Sequence, residues 1–463
     1  MKGSKPLTVV IKLGTSSIVD EKTHEPLLSI LSLIVETAVK LRKDGHKVVI
    51  VSSGAIGVGL QRMDVEKRPK HLSKLQALAA IGQCRLISLW DSLFAHLQQP
   101  ISQILLTRND IADRSRYLNA QNTMMELLEM GVIPIVNEND TLAVAEIKFG
   151  DNDTLSAITA AMVHADFLFL MTDVDCLYDK NPRTNPDARA IEEVEDIGAI
   201  QADVSSAGSS LGTGGMGTKI VAARLATSAG VTTVITRSSS PGNIVKIVRY
   251  LQATRGLAPA SSQSQSQPQT PIASTPHEGH TGAEESRCRA LENLEKPPLH
   301  TRFLPLSQPI RDRYFWLLHG LAPHGTIYID SGAYHALADK AGLLPVGVLD
   351  VEGSFAQQEA VRLVVVDRRR EAGPDGRLWE GTPVEVGRAL VNYAAPEIAR
   401  IKGHRSAMIE SLLGYADSEY VAHRENVSLF LGRGSRPVSP VHNSAPEAAA
   451  AKETDNGRNG VVA

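Results

Sequence analysis

From residue 7 to about 252 the chain alternates short apolar runs, rich in β-branched residues, with longer stretches in which apolar positions recur every three or four residues. The short runs predict strands and the longer stretches helices. Their alternation predicts an α/β fold, a three-layer sandwich around a mainly parallel sheet. Strands are expected at Thr8 to Ile11, Val48 to Val51, Ile101 to Leu106, Val132 to Val136, Phe167 to Met171 and Thr233 to Ile235. Several of these are apolar at every position, which suits burial on both faces. The clearest helix covers Leu27 to Lys43, where Leu27, Ile30, Leu31, Ile34, Val35, Ala38 and Leu41 form one stripe and Gly45 is the stop.

The pattern stops at about residue 256. From there to 312 the chain is rich in Ser, Gln and Pro, and such a stretch cannot bury enough apolar surface to offset its ordering entropy. A disordered linker is expected, with a short helix near Cys288 to Leu294. Residues 313–432 regain a pattern of strands at Thr326 to Ile329, Val346 to Val351, Ala360 to Val366 and Thr382 to Val386, and helices at Ser331 to Ala341 and Ile398 to Lys402. This reads as a small β-rich module. The division is therefore 1–255, linker 256–312, module 313–432 and a flexible tail 433–463.

Composition narrows the classes. The 463 residues, 43% hydrophobic, can build two or three cores. With 48 Lys plus Arg against 51 Asp plus Glu, the whole chain has no electrostatic case for nucleic acid or membrane. Cys84, Cys176 and Cys288 are isolated, which suits a reducing compartment, and no apolar run approaches 18 residues. A cytoplasmic, non-membrane protein is expected.

Polar loops carry the candidate chemistry. Leu211-Gly212-Thr213-Gly214-Gly215-Met216-Gly217-Thr218-Lys219 leads into a helical pattern. Glycines allow close backbone approach to a polyanion, the helix start offers unpaired N–H groups, and Lys219 adds charge. The spacing is not that of a Walker A loop, and a solvated surface loop is the alternative. Lys12-Leu13-Gly14-Thr15-Ser16 follows the first strand, and Ser52-Ser53-Gly54-Ala55-Ile56-Gly57-Val58-Gly59 follows the second. The latter has G-x-x-G-x-G spacing, not a dinucleotide fingerprint, and a tight strand-to-helix turn explains its glycines equally well. Asn137-Glu138-Asn139-Asp140 and Gly150-Asp151-Asn152-Asp153-Thr154 hold more Asn and Asp than helix capping requires. Thr172-Asp173-Val174-Asp175 ends the fifth strand, either as an Asx turn or as an acceptor for a nucleotide. In open α/β sheets ligands bind beyond the carboxyl ends of the strands, so these loops should converge.

Together these segments, in this order, resemble the amino acid kinase family, and within it the branch that phosphorylates glutamate; the region from about His324 resembles a PUA domain. The resemblance implies ATP-dependent phosphorylation of the L-glutamate side-chain carboxylate, the first step of proline biosynthesis. It implies catalytic roles for Lys12, Lys219 and Asp153, and substrate binding by Ser53, Gly54, Asn137, Asp140, Asp151 and Asn152. ATP binding would fall to Lys12, Gly14, Thr172, Asp173, Thr213, Gly214, Gly215, Met216, Gly217, Thr218 and Lys219. No residue is assigned as a metal ligand, since Mg²⁺ is expected through ATP phosphates and water. The implied partners are L-glutamate, proline as feedback inhibitor, a glutamyl phosphate reductase and further copies of the chain. Two positions depart from the family pattern: Cys176, where Gly is usual, and Gln358, again in place of Gly. The rival readings are another amino acid kinase, of acetylglutamate or aspartate type, and an RNA-binding regulator using Arg368-Arg369-Arg370 and Arg377.

Overall fold

In the computed structural model the described residues are 5–142, 152–199, 215–257, 296–306, 309–310, 312–369, 373 and 378–430. The expected disordered segment up to 295, apart from 256–257, the short helix near Cys288 and the tail beyond 430 lie outside them. The first region runs β1 (Thr8–Leu13), α1 (Leu28–Lys43), β2 (Lys47–Ser52), α2 (Ala55–Arg62), α3 (Leu72–Ala95), β3 (Ile101–Leu106), α4 (Arg108–Ala112), α5 (Arg114–Glu129) and β4 (Ile133–Glu138). It continues with α6 (Asn152–Met162), β5 (Phe167–Thr172), the hairpin β6 (Leu177–Tyr178) and β7 (Ala190–Ile191), β8 (Glu193–Val194), α7 (Met216–Ser228), β9 (Thr232–Arg237) and α8 (Asn243–Leu257).

The strands form one sheet of order β3-β4-β2-β1-β5-β9-β10-β8, where β10 is Thr301–Phe303. Strands β1 to β5 and β9 pair in parallel, while β10 pairs antiparallel with β9. Successive strand residues point to opposite faces, and both faces are apolar here. Val9, Ile11, Ile50 and Ile135 meet α1, α3 and α8 on one side. Val10, Val51, Val136 and Leu170 meet α5, α6 and α7 on the other. The three-layer sandwich expected from the all-apolar strands is therefore observed.

The segment expected to link the two regions enters the structure at its end. Besides extending the sheet as β10, it gives Thr301 Oγ1, which accepts from the Leu177 N–H at 2.7 Å and donates to the Ile191 carbonyl at 2.6 Å. Residues expected to open the second module also join the first core. Phe315, Trp316 and Leu317 are buried there, and the Trp316 indole donates to the Ile111 carbonyl at 2.8 Å. The Arg114 guanidinium lies over the rings of Tyr117 and Trp316 at 5.5 and 5.3 Å.

The second module is a five-stranded sheet, β12-β11-β13-β14-β15, built from β11 (Gly325–Ile329), β12 (Val348–Gly353), β13 (Ala360–Arg368), β14 (Trp379–Leu390) and β15 (Val427–Leu429). Its helices Ser331–Ala338 and Ala395–Ile401 pack on its own apolar core. Gln358 has φ 62°, in the left-handed region that explains why Gly is usual there. The chain keeps the conformation, with the Gln358 N–H donating to Val391 O at 2.7 Å.

Helices α2 and α3 cross at contact. A Cβ on Gly59 would lie 2.1 Å from the Leu78 carbonyl oxygen, and one on Gly82 would lie 1.7 Å from that of Ala55. No rotamer change relieves a clash with backbone. Gly82→Ala is expected to destabilise by at least about 2 kcal/mol, as overpacking does, whereas Gly242→Ala, with open space around it, should change stability by less than about 0.5 kcal/mol. Urea titration of the two variants checks this; equal midpoints would remove the close crossing.

Candidate active site

The carboxyl ends of β4, β2, β1, β5 and β9 lie side by side, fixed by the pairings Leu13 with Ser52, Lys12 with Leu170 and Thr172 with Arg237. Lys12 stands in the middle of this row. Opposite it, α6 begins at Asn152, so Asp153 falls in its first turn, where the helix N-terminus favours a negative charge.

Asp153 is fully buried and is held by three groups. Lys12 Nζ is 2.5 Å from Oδ1, Lys219 Nζ is 3.5 Å from Oδ2, and Thr218 Oγ1 donates to Oδ2 at 2.7 Å. Burial pushes the carboxyl pKa up, but the charges of Lys12 and Lys219 and the hydrogen bonds outweigh it, leaving a pKa of about 2 against an ordinary 3.8. Both lysines are themselves buried, 4% and 7% exposed. Two cations against one anion leave a net positive site, as a polyanion requires.

Lys219 arrives from α7. Gly215 caps this helix, and its N–H donates to Thr218 Oγ1 at 3.0 Å. The same hydroxyl that closes the first turn therefore also touches Asp153. Met216 and Gly217 are half-buried beside it. Of the expected nucleotide loop, Thr213 and Gly214 lie outside the described residues, as does Asp151 of the acid-binding set.

On the β2 and β4 side, Gly54 adopts φ 99° and a Cβ there would crowd Ile18, so this turn requires glycine. The turn brings Ser53 to Asn152, whose Nδ2 donates to Ser53 Oγ at 2.8 Å and to Asn137 Oδ1 at 3.1 Å. Asn137 Oδ1 also accepts from the Glu138 N–H at 2.9 Å. Three expected residues from three distant loops thus form one network. Asp140 is half-buried in the turn after β4.

On the β5 and β9 side, Thr172 Oγ1 donates to Asp173 Oδ1 at 3.0 Å, and Arg183 pairs with the other oxygen of Asp173. Arg237 grips Asp175 through two contacts of 2.8 Å. Cys176 is buried, and its φ is not positive, so the departure from Gly costs no backbone strain at this turn. Gly14, two residues beyond Lys12, has an ordinary φ of −75°; a Cβ there would sit 3.7 Å from Lys12 Nζ.

Some residues at the site were not anticipated. Glu138, inside the Asn-rich motif, is buried; burial lowers the pKa of Arg108, and the charge of Glu138 only partly opposes this. Ser52 accepts from the Trp90 indole at 3.2 Å; its place in the double serine was a usable signal. Gln83 lies in the ordinary helical pattern of α3, which carries no signal for it.

Comparison with known proteins gives the family. The model of the amino acid kinase family matches residues 7–237, and that of the PUA domain matches residues 325–413. A probable glutamate 5-kinase of Schizosaccharomyces pombe is 54% identical over 91% of this chain and 93% of its own length. An uncharacterized protein of Saccharomyces cerevisiae is 48% identical over 92% of this chain and 99% of its own. A glutamate 5-kinase of Rippkaea orientalis is 42% identical over 91% and 99%. With these matches running through both regions, the chain belongs to the amino acid kinase family, as a member that carries a C-terminal PUA domain.

Proposed function

We infer that this protein transfers the γ-phosphoryl group of ATP to the side-chain carboxylate of L-glutamate, giving L-glutamyl 5-phosphate and ADP, the first step of proline biosynthesis. The observation that carries the reading is the buried Lys12, Asp153 and Lys219 arrangement between an amide network and the β5 and α7 termini. Glutamate, among carboxylates, is supported by the names of the relatives.

At neutral pH a glutamate side chain, with a reference pKa of about 4.3, is already ionised. No general base is needed. A carboxylate oxygen forms the bond to the γ-phosphorus as the bond from phosphorus to the bridging oxygen breaks, and ADP leaves with that electron pair. Carboxylate and triphosphate repel each other, and Lys12 and Lys219 offset the repulsion most strongly while charge spreads over the transferring oxygens. Asp153 holds both ammonium groups in place beforehand. Ser53, Gly54, Asn137 and Asn152 bind the acid, with Asp140 assigned to its ammonium. Thr172, Asp173 and the start of α7 bind the nucleotide, whose phosphates meet the helix N-terminus. Mg²⁺ is assigned to the ATP phosphates and water, where it supplies further positive charge.

The product is an acyl phosphate, which water and amines destroy. A reductase on another chain is its natural consumer, and proline is the natural feedback inhibitor. Among the described residues no helix is long and apolar enough to cross a membrane.

Hydroxylamine trapping with Mg²⁺ and ATP is expected to give a hydroxamate from L-glutamate and not from N-acetylglutamate or aspartate. Signal from another acid alone would replace the substrate. Lys219→Ala is expected to lower kcat by about 10²- to 10⁵-fold, the range seen for other cations in phosphoryl transfer; near-normal turnover in the same assay would overturn its role. Because the Asp153 pKa is depressed to about 2, its contribution to stability is present above the ordinary 3.8 and lost as pH falls toward 2. Asp153→Asn should therefore flatten the pH dependence of stability between about pH 4 and pH 2, and leave no new acid limb near neutrality. Acid-titration unfolding curves of equal slope for both proteins would contradict this.

A further inference from the structure

Behind the acid-binding network, on the α3 side of the sheet, lies a small cavity lined by Ser52, Gln83, Leu86, Trp90, Ile135 and Asn137, among others. Two of these side chains carry buried donors with no hydrogen-bond partner among the described residues, Gln83 Nε2 and Asn137 Nδ2. Both side chains belong to residues more than nine-tenths buried, 8% and 4% exposed. A buried donor left without a partner is destabilising, so such groups are normally satisfied. The orientation of Asn137 is not free to relieve this, because Oδ1 already accepts from the Glu138 N–H and from Asn152.

We propose that Gln83 is a positioning residue for Asn137, acting through one buried water that accepts from both amides. This rests on the reading of Asn137 as part of the glutamate site. The cavity has room on the order of what a single water needs. A water oxygen accepts two hydrogen bonds, which matches the two unpaired donors; Gln103 lies on the same lining. Gln83 is brought there by the α2 and α3 crossing: its neighbour Gly82 touches the Ala55 backbone at the start of α2. Ser52, on the same wall, has its hydroxyl engaged by Trp90 and by the Ser53 carbonyl at 3.1 Å. The cavity thus ties a rigid helix crossing to the amide that fixes Asn152.

The test is steady-state kinetics of Gln83→Met, which keeps the length of the side chain and removes its donor. KM for L-glutamate should rise about 3- to 10-fold, with KM for ATP within about two-fold and kcat little changed, a pattern expected for lost ground-state binding. In an Asn137→Ala background, Gln83→Met should add nothing further, since both act through one contact. Equal glutamate KM in wild type and Gln83→Met overturns the proposal, as does an effect that adds fully to Asn137→Ala. If Gln83→Met does not fold, Gln83→Leu takes its place in the same cycle. Wild-type protein that forms no glutamyl hydroxamate instead sinks the glutamate reading on which this rests.

Discussion

The site depends on one buried carboxylate. Asp153 sits at zero exposure in the first turn of α6, and an ionised carboxylate there is tolerable only because two ammonium groups, a hydroxyl and the helix N-terminus surround it. Lys12 comes from β1, Asp153 from α6 and Lys219 from α7, so the same contacts that satisfy the charge also lock three elements together. Removing Asp153 leaves two buried ammonium groups without their shared counter-charge. The cations that the proposed reaction needs are therefore held by the fold's own electrostatic requirement, and no separate device is needed to orient them.

Around that charge the sheet divides the proposed labour by strand order. β4 and β2 end in the Asn137, Ser53 and Asn152 network, β5 and β9 end in Thr172, Asp173 and Arg237, and β1 with Lys12 lies between. Parallel pairing puts every one of these ends on the same edge. An acceptor bound on one side and a nucleotide on the other would meet over Lys12, where phosphoryl transfer needs positive charge. The second module is joined to this body through buried contacts. Trp316 enters the first core, and Arg388 Nη1 of β14 donates to the Leu321 carbonyl at 2.7 Å.

The sequence by itself determined much of this protein. Short runs apolar at nearly every position predicted the parallel strands, because a strand buried on both faces has no polar position to offer, and the stripe from Leu27 placed α1 within one residue of its observed start. Local motifs drew attention to the loops that hold Lys12, Ser53, Asn152, Asp153 and Lys219, since clustered amides exceed what caps alone require, and the resemblance to the amino acid kinase family assigned the individual residues. Only the tertiary structure decided the rest. Thr301–Phe303 became a strand because an open sheet edge was there to pair with, and nothing in a three-residue run announces that. Trp316 left the module it precedes because the Ile111 carbonyl and the Arg114 face lay within reach. Gln83 reads as an ordinary helical residue until Gly82 and Gly59 let two helices touch. Local spacing encodes the conformation of each segment, whereas contacts between residues far apart along the chain exist only once the packed layers bring them within a few ångströms.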